Sequence, residues 1–181
     1  NGDYSLSFDG ETSGVSGAAS SSLDVSGNNL LTLSGWVKPS ENLENPGVIF
    51  AHTNNFRWHQ YALIVNPDGR LYFISGLASF EAGGNNLSNG QIPLGDWSHI
   101  ALTYDGTAVK FYINGENDFT HNVEDTFGTN YMGDFHIGHA DGDSRYNGLM
   151  DEISVWDIAL NEEQIQTSMN FPLDGNESGL V

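Results

Sequence analysis

Between Asp96 and Glu116 the chain reads DWSHIALTYDGTAVKFYINGE, a run in which apolar residues recur at every second position on both sides of a turn. His99, Ala101, Thr103 and Tyr104 lead into Asp105-Gly106, and Val109, Phe111 and Ile113 then share one face before Asn114-Gly115 reverses the chain again. Asp-Gly and Asn-Gly supply the positive φ that tight hairpin turns require, so the pattern predicts paired strands with one buried face. Turn signals of the same kind recur at Asp9-Gly10, Ser26-Gly27-Asn28-Asn29, Pro67-Asp68-Gly69, Gly83-Gly84-Asn85-Asn86 and Asp141-Gly142-Asp143. The runs between them, such as YALIVN at 61–66 and RLYFISG at 70–76, are short and alternating or wholly apolar. That spacing predicts an all-β sandwich with little room for helices.

One helix is specified near the end. Asn161 is placed to cap it, Gln164 stands in capping-box position, and Leu160 and Ile165 are set for a hydrophobic staple, predicting a helix from about Glu162 to Met169. The polar, glycine-bearing stretch 171–181 reads as a linker or the start of a following module, which puts the domain at 1–170.

Three stretches, LTLSGWVKP at 31–39, GDWSHIALTYDGTAVKFYINGE ending at Glu116 and NGLMDEISVWDIALNEEQI at 147–165, carry a family pattern in order. Together they resemble the laminin-G-like, concanavalin A-like jelly-roll modules of extracellular proteins. The resemblance implies a two-sheet antiparallel jelly-roll sandwich with a short C-terminal helix. It also implies a module that binds glycan or protein, often with calcium, rather than one named activity.

Composition narrows the partners. At 181 residues the chain suits one domain that buries roughly 70% of its unfolded surface. Five Lys plus Arg against 24 Asp plus Glu give a net charge of −19, which opposes binding to a phosphate backbone and excludes nucleic acid. No apolar window is long enough to insert into a membrane. Cysteine is absent, and a chain opening on Asn1 without a leader is expected to be a piece of something longer. With the resemblance, acidity and lack of thiols point to a secreted or cell-surface bacterial setting.

The candidate chemistry is recognition by loops. Of the four tryptophans, Trp36, Trp97 and Trp156 lie in or beside strand landmarks, where such rings are expected to fill core volume. Trp58 lies instead among polar residues, and His52, Asn54, Asn55, Arg57, Trp58 and His59 form the mixture of ring and hydrogen-bonding groups that sugars require. The alternative is that Phe56 and Trp58 cover the end of the sandwich. Asp141 and Asp143, with Arg145, form a loop that either joins that site or is a solvated turn.

Calcium is the expected cofactor, because acidic residues on glycine-bearing loops supply its oxygen ligands. The resemblance implies that the first and last strands share the ion through Asp9, the Gly10 carbonyl and Asp151, with Glu152 less favoured; ordinary turn and strand-edge roles are the alternatives. Among the histidines only His136 and His139 are closely spaced, and strand alternation sends them to opposite faces, against zinc. His99 is expected at a sheet surface with an ordinary hydrogen-bond partner. Asp151 and Glu152 are adjacent and by the same rule face apart, and no GxSxG motif or cysteine nucleophile is present, so catalysis is not expected. The leading reading is a calcium-supported module binding glycan or polysaccharide. The alternative is a protein-interaction or architectural module meeting a cell-surface protein.

Overall fold

In the computed structural model, residues 4–53, 59–77, 86–123, 125–127, 133–140 and 144–181 are described. Eleven named strands and one α-helix follow one another as β1 (Leu6–Asp9), β2 (Val15–Gly17), β3 (Leu31–Pro39), β4 (Gly47–Thr53), β5 (His59–Val65), β6 (Leu71–Ser75), β7 (Ser98–Tyr104), β8 (Ala108–Ile113), β9 (Glu116–Asn122), β10 (Asp134–Ile137), β11 (Asn147–Trp156) and α1 (Glu162–Asn170). They form a six-stranded sheet ordered β1-β11-β3-β7-β8-β9 and a five-stranded sheet ordered β2-β10-β4-β5-β6. Every named pairing is antiparallel, and β1 lies beside β11, so the first and last strands are neighbours as expected.

Alternation explains the layers. Leu31, Leu33 and Val37 of β3, Ile100, Leu102 and Tyr104 of β7, and Val109 and Phe111 of β8 point inward to meet Tyr61, Leu63, Val65, Leu71 and Phe73 of the other sheet in one cluster. Asn114 (φ 51) and Gly115 (φ 80) make the turn from β8 into β9 that the Asn-Gly pair predicts.

The outer face of the six-stranded sheet is roofed. Asn161 Oδ1 accepts from the Gln164 backbone N–H at 2.9 Å and Gln164 Oε1 accepts from the Asn161 N–H at 2.9 Å, so the capping box that starts α1 is formed. Below it Leu160 and Ile165 pack with Ala101, Tyr112 and Trp156. Residues 171–181, expected to lead away as a linker, instead return to this face. Leu173 and Leu180 join the same cluster, and the Val181 and Asp157 N–H groups donate to the Val155 and Gly179 carbonyls at 2.9 and 2.8 Å. Among the described residues no helix is long and apolar enough to cross a membrane.

Candidate glycan-binding cleft

Asn55, Arg57, Trp58, Asp141 and Asp143 lie outside the described residues, as does Asn54. The described residues that flank them lie at opposite ends of β4 and β5. Thr53 pairs with His59 at one end of β4 and β5, whereas the Val48 N–H donates to the Ser144 carbonyl at the other end, next to half-buried Arg145. Val48 and Thr53 are five residues apart on β4, which separates these ends by roughly 17 Å. Arg145 is therefore not brought to the anchors of the 54–58 segment.

His52 is not at a binding surface. It is fully buried, with Nδ1 3.0 Å from Gln60 Oε1 and Nε2 3.0 Å from the Gly133 carbonyl. Gln60 in turn donates to Asp24 Oδ1 at 2.6 Å. Burial pushes the His52 pKa down, and the ring braces the end of the sandwich from inside.

The proposed metal pair does not converge either. Asp9 sits opposite Asn147, while Asp151 lies four residues further along β11, roughly 13 Å away at strand spacing. Asp9 is occupied by its own loop, because Oδ1 accepts from the Glu11, Thr12 and Ser13 N–H groups and the Ser13 hydroxyl, and Oδ2 accepts from the Thr12 hydroxyl. Those donors, Ser13 foremost, hold its carboxyl far below the usual range. N–H groups converging on a carboxylate make a cradle for negative charge, and Gly10 itself packs against Asn147. Asp9, Gly10 and Asp151 as placed do not fit a shared calcium ion, which needs six to eight oxygens around it. No group of three acidic or histidine side chains capable of holding a metal occurs among the described residues.

His136 and His139 depart from simple alternation in the opposite sense. β10 ends at Ile137, Gly138 bends the chain at φ 78, and the two rings lie 4.8 Å apart. Ser16 Oγ bridges them, 2.9 Å from His136 Nδ1 and 2.8 Å from His139 Nε2. Ala140 then packs over Val48, Ala51, Ala62 and Ile64 on the outer face of the five-stranded sheet.

The described residues form their most sugar-like surface on the other side of the molecule. Trp36, Trp97, Leu149, Asp151, Glu152, Met169, Asn170, Phe171, Pro172 and Ser5 line a cleft of about 640 Å³. Only Trp156 of the three strand tryptophans is buried as expected, in the cluster beneath α1. Trp36 and Trp97 are half-buried and keep surface in the cleft. Trp36 points outward because Leu33 and Val37 point in, and Trp97 is held at the mouth by the Gly95 N–H, which donates to the Pro39 carbonyl at 2.7 Å.

Asp151 and Glu152 both line this cleft, contrary to strict alternation. The β11–β3 register shifts between Asp151 and Ser154, and Glu152 takes φ 50. A Cβ on Gly35 would come within 2.5 Å of Ile153, so the glycine opposite makes room for the bulge. Burial, and then the charge of Asp151, push the Glu152 pKa up. On the far wall the Phe171 N–H donates to the Thr167 carbonyl at 3.2 Å, yet its side chain is 67% exposed.

Beneath the cleft, His99 pairs with Trp36 across the sheet, its ring 5.4 Å away and edge-on. It is not the surface residue expected. His99 is 3% exposed, its Nδ1 has no hydrogen-bond partner among the described residues, and burial lowers its pKa to about 4. A further depression, of about 520 Å³, runs past Leu23, Phe50, Phe135, Glu152, Leu173 and Leu180; it shares Glu152 with the first but contains no tryptophan. Indole faces stack on the C–H faces of sugars while carboxylates and amides take hydroxyls, so the Trp36–Trp97 cleft has the better chemistry.

Comparison with known proteins agrees with the architecture. A Bacteroides ovatus ATCC 8483 protein, described as a "putative carbohydrate binding protein", superposes with a TM-score of 0.66 at 21% identity, over 84% of this chain and 44% of its own. The heptameric SAP-like pentraxin of Limulus polyphemus matches with a TM-score of 0.60 at 25% identity, over 77% of this chain and 69% of its own. Domain 4 of AbnA, a GH43 extracellular arabinanase of Geobacillus stearothermophilus solved with arabinotriose, gives 0.55 at 24% identity, over 90% and 70%. The chain thus spans less than half the length of the Bacteroides protein. Among curated proteins no sequence matches it. The family model for the concanavalin A-like lectin/glucanases superfamily matches residues 9–166, and the chain belongs to that superfamily.

Proposed function

We propose that this domain binds carbohydrate without cleaving it, at the cleft between Trp36, Trp97 and the end of α1. The observation that carries the reading is two half-exposed indoles, one on β3 and one just before β7, and two carboxylates of β11 lining one cleft. The strand-borne Trp36 and Asp151 are held in place by their neighbours, which suits recognition of a rigid ring. The description of the Bacteroides neighbour and the arabinotriose bound to the AbnA domain support the same ligand class.

Strong acidity and the absence of cysteine suit an extracellular setting. The test is a glycan array followed by calorimetry with Trp97→Ala. The expected result is glycan binding that weakens at least about tenfold while melting moves by only a few degrees. Absence of any glycan ligand, an unaffected variant, or release of reducing sugar would overturn the reading.

A further inference from the structure

The cleft is one-sided in charge. Asp151 and Glu152 line it, and among the described residues no lysine, arginine or histidine does. Of the nearby basic groups, Lys38, opposite Leu149 on β11, borders an adjoining depression with Glu41 and Asn147, and His99, with its pKa lowered to about 4, is neutral under Trp36. Adjacent carboxylates repel, which is part of why Glu152 resists ionisation. A positive charge between them relieves that repulsion, and the faces of Trp36 and Trp97 attract cations through the ring quadrupole.

We propose, building on the carbohydrate-binding reading, that the Trp36–Trp97 cleft takes an amino sugar bearing a free ammonium group, the ring stacking on indole and the ammonium meeting Asp151 and Glu152. Acidic sugars are disfavoured, because a carboxylate or sulfate would enter a cleft whose described lining holds two negative groups and no basic side chain.

The experiment compares a β-linked glucosamine tetramer with its N-acetylated form and with a glucose tetramer, by calorimetry at about pH 6, where an ordinary amine is protonated. At low salt the free amino form should bind about tenfold more tightly than either neutral tetramer, and added salt should narrow the gap. Asp151→Asn with Glu152→Gln should bring the three ligands within about twofold while neutral binding survives. A control is needed because the whole chain carries −19 and attracts polycations anywhere. Glu162→Gln with Glu163→Gln, on the exposed first turn of α1, should leave the preference intact.

Equal affinity for all three tetramers would overturn the amino-sugar proposal and leave carbohydrate binding standing. So would a preference that survives the cleft variant or disappears in the helix variant. Loss of the glucosamine tetramer on adding calcium at matched ionic strength would assign the carboxylates to a metal instead. Failure of all three ligands, together with a blank array, would sink the proposal and the functional reading beneath it.

Discussion

The two sheets treat their outer faces differently. Over the six-stranded sheet, Leu160 and Ile165 of the α1 region and Leu173 and Leu180 of the tail make a regular roof, and the cleft opens where that roof ends at Met169–Pro172. The five-stranded sheet offers a floor of small or aliphatic side chains, Val48, Ala51, Ala62 and Ile64, with Ala140 laid across it and the Ser16–His136–His139 contact at its side. Trp36, Trp97 and Trp156 all belong to the roofed side. Both faces are buried, but only the roof over the six-stranded sheet stops short beside large rings, leaving Trp36 and Trp97 half-exposed at its edge.

The sharpest way to break the comparison is to loosen the roof. Ile165 is fully buried beneath α1, so Ile165→Ala should cost about 3 kcal/mol and lower the melting temperature by roughly 10 °C. A change of under one degree by calorimetry would show that the helix contributes little to this face.

Next comes the histidine under Trp36. Its pKa is lower folded, about 4, than the ordinary 6.5, so the unfolded chain takes up the proton first as pH falls. The contribution of neutral His99 is complete above about pH 6.5 and is lost progressively down to about pH 4, up to about 3 kcal/mol. Denaturant titrations across that window should show the loss in the native protein and much less of it in His99→Phe.

A smaller effect belongs to the Asp9 loop. The depressed Asp9 pKa means its contribution is present above the ordinary carboxylate range and fades as pH falls below it. Asp9→Asn should lower melting by a few degrees at neutral pH, by the same amount in calcium and in chelator; a calcium-dependent difference would restore the ion to this site. Smallest for stability is Phe171→Ala. Its exposed ring predicts a change within about 0.5 kcal/mol, while affinity for the sugar falls severalfold if the far wall of the cleft is used.

Period-2 patterning and turn chemistry made the β7–β8 hairpin, the Asn114-Gly115 turn and the Asn161 capping box legible in residues alone, because each depends on near neighbours. The cleft was less legible. Alternation places Trp36 on a face, but whether that face is roofed depends on where residues 171–181 return, and polar composition makes those residues look like a linker. Asp151 and Glu152 read as facing apart because the rule assumes unbroken pairing; Gly35 on the partner strand is the one local hint of the bulge. His52 read as a surface group because its partners, Gln60 and Gly133, come together only in the folded sheet. The His136–His139 contact depends on a turn at Gly138 that spacing alone does not reveal.

On the proposed reading, sugar meets Trp36 and Trp97 at the edge of the roofed sheet. Four indole N–H resonances, assigned by single substitution, make it directly measurable during titration with the glucosamine tetramer. The account predicts saturable shifts for Trp36 and Trp97, with Trp156 unmoved beneath the helix; shifts confined to Trp58 would contradict it.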